Sequence, residues 1–275
     1  MGTFEGRCAV ITGAASGIGQ ALAIELAQRG ANVALCDVNE DGLAETKARV
    51  EALGRRASTD LVDVSQREAV HSFAARVLER EPRVDAIINN AGVALSDTVV
   101  NASYEDLEWI IGINLWGVIH GTKAFLPHLL SQGDGWVVNL SSVFGIIGVP
   151  LQSAYNVTKF AVRGYTEALR AELHGTGVTA LSVHPGGIKT NIARAARHRD
   201  TTVDRETAVK NFDEKLARTT PAQAAKTIVD AMERRAPRVL VGPDAYVIDA
   251  MQRLLPERYT DLLVFLEKRQ REQLR

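Results

Sequence analysis

The chain has 275 residues, of which 46% are hydrophobic and 24% are charged, and its formal net charge at pH 7 is -1. This is the composition of a globular protein that is long enough to bury a sizeable core. Because a nearly neutral chain has no overall basic field to draw it to nucleic acid or an anionic membrane, a protein that acts on small molecules is favoured.

Short β-branched runs alternate with longer helical patterns along the chain. The predicted strands are RCAVIT, NVALC, ASTDLV, VDAIIN, GWVVNLS, VTALSVHP and RVLVG. The predicted helices cover 17–29, 40–53, 66–80, about 104–130 and about 154–174. This alternation predicts an α/β fold in a single domain over 1–275, with a Rossmann-like, doubly wound parallel sheet and helices on both faces.

A glycine-rich turn follows the first predicted strand directly and leads into a helix. Its sequence is Thr12-Gly13-Ala14-Ala15-Ser16-Gly17-Ile18-Gly19. Glycines let a backbone turn tightly and approach a pyrophosphate, to which the following helix offers amide hydrogens and the positive end of its dipole. We therefore predict a dinucleotide site, with cofactor contacts from Gly13, Ser16, Gly17, Ile18 and Gly19.

A carboxylate ends the second predicted strand, about 20 residues beyond the glycine turn. Asp37 can accept hydrogen bonds from both ribose hydroxyls of an adenosine, and it would repel a 2′-phosphate. No Arg or Lys stands at Val38 or Asn39, and Ser16 rather than a basic residue precedes Gly17. The sequence therefore favours NAD(H) over NADP(H).

Ser142, Tyr155 and Lys159 lie in the segment SSVFGIIGVPLQSAYNVTK. Tyr155 and Lys159 are four residues apart on a predicted helix, so their side chains share a face. A free tyrosine titrates near 10, and a neighbouring ammonium stabilises its phenolate and makes it a usable base. Ser142, after a strand end, can hold a substrate oxygen beside the phenol. Alone, a Tyr-x-x-x-Lys pair arises often by chance.

The segment from about 188 to 216 is polar and rich in Arg and Asp. It follows the carboxyl end of a strand, where ligands bind in open α/β sheets, so we predict a mobile substrate lid. Two alternatives stay open: a fixed wall of the pocket, and recognition of an anionic substrate through Arg194, Arg197 or Arg199. A helical tail is predicted over about 244–275, because apolar side chains recur there at helical spacing, at Tyr259, Leu262, Leu263 and Leu266.

With these residues the chain resembles the short-chain dehydrogenase/reductase family over nearly all of residues 5–245. The family's motifs match Asn90-Ala91-Gly92 after the fourth strand, Asn114 in GINLWG, and Pro185-Gly186. The resemblance implies four catalytic residues, Asn114, Ser142, Tyr155 and Lys159. It also implies cofactor contacts from Asp63, Val64, Asn90, Ala91, Gly92, Tyr155, Lys159, Pro185, Gly186, Ile188 and Thr190.

The resemblance also implies roles for individual residues. Lys159 would hold the nicotinamide ribose, and Asn114 would anchor a water that relays protons to Lys159. His184, before the Pro-Gly motif, is interpreted as a strand-end residue. The tail beyond about Gly242 exceeds the compact family pattern.

We therefore expect an NAD-dependent oxidoreductase that interconverts a secondary alcohol and a ketone, with no metal site. The alternatives are an NADPH-dependent ketoacyl-type reductase and a catalytically silent nucleotide-binding scaffold. The resemblance implies a homo-oligomer, with a tetramer favoured over a dimer, paired through the helices near 109–130 and 154–174.

The chain's location is expected to be cytoplasmic. Cys8 and Cys36 each lie within an apolar run, as buried free thiols of a reducing compartment do. The N-terminal residues MGTFEGR contain no apolar signal core, and no apolar run approaches the roughly 18 residues that span a bilayer.

Overall fold

In a computed structural model, which describes residues 2–199, 206, 210 and 217–265, a parallel sheet lies between two layers of helices. The strands are β1 (Cys8–Thr12), β2 (Asn32–Asp37), β3 (Ala57–Leu61), β4 (Ala86–Asn89), β5 (Leu95–Ser96), β6 (Gly135–Leu140), β7 (Val178–Pro185), β8 (Arg197–His198) and β9 (Arg238–Val241). The helices are α1 (Gly17–Gln28), α2 (Glu40–Glu51), α3 (Arg67–Arg80), α4 (Tyr104–Ile111), α5 (Gly117–Gln132), α6 (Ser153–Glu172), α7 (Pro221–Glu233) and α8 (Pro243–Leu254).

The main sheet has seven strands in the order β3-β2-β1-β4-β6-β7-β9, and every adjacent pair is parallel. The predicted doubly wound parallel sheet is therefore confirmed. The strand order reverses between β1 and β4, and in such sheets ligands bind in the crevice outside the carboxyl ends of the strands at that point. The glycine turn follows β1 there, and the Asn-Ala-Gly motif follows β4.

Each face of the sheet buries its own apolar layer. Val10 and Ile11 are neighbours on β1 and point to opposite faces, as the period of two along a strand requires. One layer joins the sheet to α1, α2 and α7, and the other joins it to α3, α5 and α6. Burial on both faces explains why these strands are apolar along their whole length.

Side chains at the helix starts fix where several helices begin. Asn39 accepts a hydrogen bond from the Gly42 amide at 3.0 Å, and so caps α2. Thr220 and Gln223 form a reciprocal capping box at α7, where proline occupies the first turn. These caps satisfy amides that the first turn of a helix leaves without partners.

The long helix predicted near 104–130 contains a π-helical turn. Gly112–Trp116 forms that turn between α4 and α5. Such a turn inserts an extra residue into the helix, and π turns are frequent at functional sites. It carries Asn114, one of the predicted catalytic residues.

The described part of the C-terminal tail is a helix over 259–265. Residues 266–275, with Leu266, lie outside the described residues. Among the helices described, none has both the length and the apolar character needed to cross a bilayer.

Candidate active site

The loops after β1 and β4 are joined by hydrogen bonds at the crevice. The Asn90 side-chain amide donates to the carbonyl oxygens of Thr12 and Gly13, at 2.9 and 3.0 Å. The Thr12 hydroxyl accepts hydrogen bonds from the backbone amides of Asn90 and Ala91, at 3.1 and 3.0 Å. The glycine turn therefore has a single, braced conformation.

Two glycines of the turn are required by close backbone approach. Gly13 has a φ of +66°, and a Cβ there would lie 2.7 Å from the Cα of Ala91. A Cβ at Gly19 would collide with the carbonyl oxygen of Gly13. A larger residue at either position would push apart the loops after β1 and β4 and break the hydrogen bonds between them.

The start of α1 faces the crevice beside this turn. Ser16 precedes the helix without forming a side-chain cap, and Ile18 packs against the core layer below. A Cβ at Gly17 would lie 3.2 Å from the Thr190 methyl group, so Gly17 and Thr190 face each other across the crevice. At Gly17 the glycine turn therefore presents its backbone, and no side chain, to the crevice.

Asp37 ends β2 and braces the glycine turn. Its Oδ2 accepts a hydrogen bond from the Ala15 amide at 3.0 Å. Its Oδ1 accepts from the amides of Val38 and Asn39, at 2.8 and 3.1 Å. These bonds hold a negative charge at the edge of the crevice, beside the exposed Val38.

Asp63 and Val64, which the family resemblance implies as cofactor contacts, follow β3. Asp63 is exposed, and its carboxylate accepts a hydrogen bond from the Ser65 amide at 2.9 Å. Val64 is buried, and a Cβ at Gly117 would lie 2.8 Å from its Cγ2. The Val64 side chain therefore packs against the start of α5.

Asn114 is fully buried and cross-links three segments. Its Nδ2 donates to the Val93 carbonyl at 2.9 Å and to the Thr158 hydroxyl at 3.2 Å. Its Oδ1 accepts from the Val93 amide at 2.8 Å. A Cβ at Gly92 would lie 3.3 Å from this Oδ1 and 3.5 Å from the Lys159 Nζ, so Gly92 leaves space between the amide and the ammonium.

Ser142, Tyr155 and Lys159 converge next to this space. The Lys159 Nζ lies 5.5 Å from the centre of the Tyr155 ring and donates to the Leu140 carbonyl at 3.0 Å. Burial raises the pKa of Tyr155 to about 12, and a hydrogen bond with the Ser142 side chain opposes that shift. Burial also lowers the pKa of Lys159 to about 8. Burial therefore disfavours the charged form of each group. A phenolate and an ammonium next to each other would offset this cost for both.

The Pro-Gly motif ends β7 and is held by a carboxylate from α8. Asp244 accepts a hydrogen bond from the Gly187 amide at 2.7 Å, and a Cβ at Gly186 would collide with the same carboxylate. Ile188, just beyond, is buried and forms a bridge to Thr219. Sequence reasoning did not predict this role for Asp244.

The described part of the predicted lid is attached to α4. The buried Asp106 accepts hydrogen bonds from Arg197 at 2.7 Å and from Arg199 at 3.0 Å. Hydrogen bonding from Arg199 and then Arg197 lowers the pKa of Asp106, although its burial opposes that shift. The Arg197 guanidinium also lies 3.8 Å from the centre of the Trp109 ring.

These contacts bear on one alternative for the segment. Two of the three arginines considered for an anionic substrate, Arg197 and Arg199, are already bound to Asp106. In addition, β8 pairs with β5 beside the same arginines. The predicted lid positions 200–205, 207–209 and 211–216 lie outside the described residues.

The C-terminal helix at 259–265 reaches the loop that follows Ser142. The Gly148 amide donates a hydrogen bond to the Tyr259 hydroxyl at 3.1 Å. An apolar cavity of about 380 Å³ lies between the helix and the loop, lined by Gly148, Val149, Pro150, Ser153, Asn156, Thr260, Leu263 and Val264. The sequence predicted the helix but gave no sign of this docking.

Comparison with known proteins identifies the family. The model of the short chain dehydrogenase family matches residues 7–201. The chain belongs to the short-chain dehydrogenase/reductase family. A Mycobacterium tuberculosis protein that carries the name oxidoreductase SadH is 48% identical over 267 residues, which cover 96% of each chain.

Solved structures of the family bind either dinucleotide. A short-chain dehydrogenase/reductase from Burkholderia phymatum in complex with NAD superposes with a TM-score of 0.85, at 29% identity over 94% of this chain and 96% of that one. An alcohol dehydrogenase from Thermococcus sibiricus complexed with 5-hydroxy-NADP gives 0.75, at 27% identity over 86% and 96%. The chain is thus an oxidoreductase of a family whose members bind NAD or NADP.

Proposed function

We propose that this protein transfers a hydride between NAD(H) and a secondary alcohol or ketone, with Tyr155 as the general acid and base. The observation that carries the proposal is the convergence of Ser142, Tyr155 and Lys159 beside the crevice at the strand-order reversal. A catalytically silent scaffold has no need of a desolvated phenol and a desolvated ammonium whose nitrogen lies 5.5 Å from the centre of the phenol ring.

The residues at the crevice fit a dinucleotide. Gly13 and Gly19 leave no room for a Cβ, and the start of α1 offers backbone amides to a pyrophosphate. Asp37 would accept hydrogen bonds from the adenosine ribose, and Thr190 faces Gly17 across the crevice. When bound, the nicotinamide supplies the acceptor or donor of the hydride.

The protein's own residues handle the proton. In alcohol oxidation the Tyr155 oxygen would take the hydroxyl proton of the substrate, while the Ser142 hydroxyl orients the substrate oxygen. The Lys159 ammonium stabilises the phenolate, and the adjacent Asn114 and Gly92 leave a polar space through which a water could exchange that proton with solvent. In ketone reduction the same phenol donates the proton.

A screen of secondary alcohols and ketones tests this proposal. Absorbance at the NADH band would be followed with purified protein and with either NAD or NADP. We expect turnover with NAD and at least one secondary alcohol or ketone. No turnover across a broad panel, together with measurable NADH binding, would favour the silent scaffold, and turnover with NADPH alone would favour the NADPH-dependent reductase.

We also propose that the segment beginning at Ile188 closes over the substrate within a single-domain enzyme. The Asp106 contacts would then anchor this segment at 197–199. Asp106→Ala removes charge-assisted hydrogen bonds from Arg197 and Arg199, each worth about 1.5–3 kcal/mol, so amide exchange at 197–199 should rise by about tenfold or more. Hydrogen exchange read by mass spectrometry measures this.

Glu105→Ala is the matched control, because it removes the neighbouring carboxylate of the same first helical turn. Exchange at 197–199 should match the wild type in that variant. Equal exchange in Asp106→Ala and wild type would refute the attachment. Slower exchange across 188–199 with NADH and a substrate analogue is expected for a closing segment.

The proposed homo-oligomer pairs through α5 and α6. Trp116, Val157 and Phe160 are large apolar side chains on this surface, and all three are exposed in the single chain. Val157→Arg combined with Phe160→Glu should lower the mass measured by light scattering at micromolar concentration. Val100→Arg, at an exposed apolar site outside these helices, should leave the mass unchanged. A monomeric wild-type protein would contradict the proposal.

A further inference from the structure

His184 lies on β7 directly before the Pro-Gly motif, and its side chain is fully buried. The Nδ1 lies 3.1 Å from the backbone carbonyl oxygen of Ser142. The Nε2 lies 2.9 Å from the Ser182 hydroxyl, on the same strand. The imidazole therefore connects β7 to the residue whose hydroxyl would orient the substrate.

The partners of the ring fix its tautomer. A carbonyl oxygen can only accept, so the proton must be on Nδ1, which donates to Ser142. The Nε2 is then an acceptor, and the Ser182 hydroxyl donates to it. Each nitrogen has one partner of the correct kind, as a buried polar side chain requires.

The neighbours of the ring keep it uncharged. The pKa of His184 is lowered to about 4, chiefly by burial and in smaller part by the charges of Arg238 and Arg163, while the hydrogen bond to Ser142 and the charge of Glu167 oppose that shift. A neutral ring donates one hydrogen bond and accepts another over the whole range in which an alcohol dehydrogenase is assayed. The contact with Ser142 is accordingly permanent in that range.

The Ser142 carbonyl oxygen has a second partner, because it also accepts a hydrogen bond from the Gly145 amide at 2.9 Å. The sheet ends beside it, where the Ser141 amide donates to the Val183 carbonyl at 2.9 Å. Its own hydroxyl accepts from the Phe144 amide at 3.1 Å, which leaves the O–H proton for a substrate oxygen or for Tyr155. The Gly145 amide belongs to the same loop as Ser142, whereas His184 ties the Ser142 carbonyl oxygen to the sheet. The His184 bond therefore fixes the orientation of the Ser142 peptide relative to β7.

We propose that His184 is a positioning residue for the reaction, which holds Ser142 in place through its carbonyl and so sets the distance between the Ser142 and Tyr155 hydroxyls. The inference rests on the proposed function, because it assigns His184 an effect only on the proton-transfer geometry. A displacement of about 1 Å in such a group can cost about 100-fold in rate. His184 itself contacts neither substrate nor cofactor in this assignment.

Two substitutions separate positioning from packing. His184→Leu fills the space but removes the donor, whereas His184→Asn places an amide Nδ2 as many bonds from the backbone as the imidazole Nδ1. We expect His184→Leu to lower kcat by about 10- to 100-fold, with the Kd for NADH, measured by fluorescence titration, unchanged within about twofold. His184→Asn should recover kcat to within about threefold of the wild type.

Val77→Ala is the control for general destabilisation, because Val77 is buried in α3 and belongs to the layer on one face of the sheet. It should lower the melting temperature and leave kcat unchanged. A wild-type kcat in His184→Leu, or equal losses in His184→Leu and His184→Asn, would overturn the inference. If Tyr155→Phe kept full activity, the proposed function itself would fail instead.

A measurement on the wild-type protein does not depend on activity. In ¹⁵N-labelled protein, the imidazole resonance of His184 is the one that is absent from the spectrum of His184→Asn. We expect this resonance to be that of a neutral ring protonated on Nδ1 from about pH 5 to 9. Should that variant fail to fold, Ser182→Ala identifies the same resonance by its shift. A ring protonated on Nε2, or one that titrates near pH 6.5, would contradict the hydrogen bond to Ser142.

Discussion

Tyr155→Phe is expected to lower kcat for a secondary alcohol by at least the 10²- to 10⁴-fold that is typical of a lost general acid or base. The substitution removes the hydroxyl and keeps the ring, which packs edge-on against Phe144 with the ring centres 6.0 Å apart. The Kd for NADH should change little, because the glycine turn and Asp37 are untouched. Single-turnover absorbance and fluorescence titration measure the two quantities.

The same helix supplies a control for this experiment. Tyr165 lies on α6 ten residues after Tyr155, and its half-buried side chain lies beside Thr122 of α5. Tyr165→Phe should therefore keep kcat within about twofold. Turnover in Tyr155→Phe within about threefold of the wild type would remove Tyr155 from the mechanism.

The sequence predicted the fold well because the signals for it are local. Continuous apolar runs identified the strands, since both faces of the sheet are covered, and the glycine turn identified the loop after β1. The π turn at Asn114 was not predicted, because its sequence, GINLW, fits an ordinary helix. The structure shows that Asn114 is held by Val93 and Thr158, on two other segments of the chain.

The supports of the site could not be predicted, because they join residues far apart in the chain. His184 meets Ser142 across 42 positions, and Asp244 meets Gly187 across 57. An acid in the first turn of a helix, such as Asp106, is common for reasons of the helix dipole alone, so it gave no sign of its two arginine partners. A histidine within a strand that is mostly apolar and buried was the one available signal for His184, since a buried imidazole needs partners.

Cofactor preference should reverse when the charge at the end of β2 is reversed. Asp37 places a carboxylate beside the exposed Val38, where the 2′-phosphate of NADP would stand. The wild type should therefore prefer NAD. Asp37→Ala combined with Val38→Arg removes the repulsion and adds a guanidinium that pairs well with phosphate. Because 72% of Val38 is exposed, the longer side chain needs no rearrangement of the core.

The ratio of kcat/KM for NAD to kcat/KM for NADP should fall by at least about 100-fold in the double variant, since a charge-assisted hydrogen bond alone contributes about 1.5–3 kcal/mol. Activity with NAD should also fall, because Asp37 braces the glycine turn through the Ala15 amide. Val38→Arg alone is the matched control: Asp37 remains to pair with the new arginine and to repel the phosphate, so the ratio should move far less. A wild-type enzyme that prefers NADPH would contradict the role assigned to Asp37. If the double variant kept the wild-type ratio of kcat/KM for NAD to kcat/KM for NADP, another residue would set the preference.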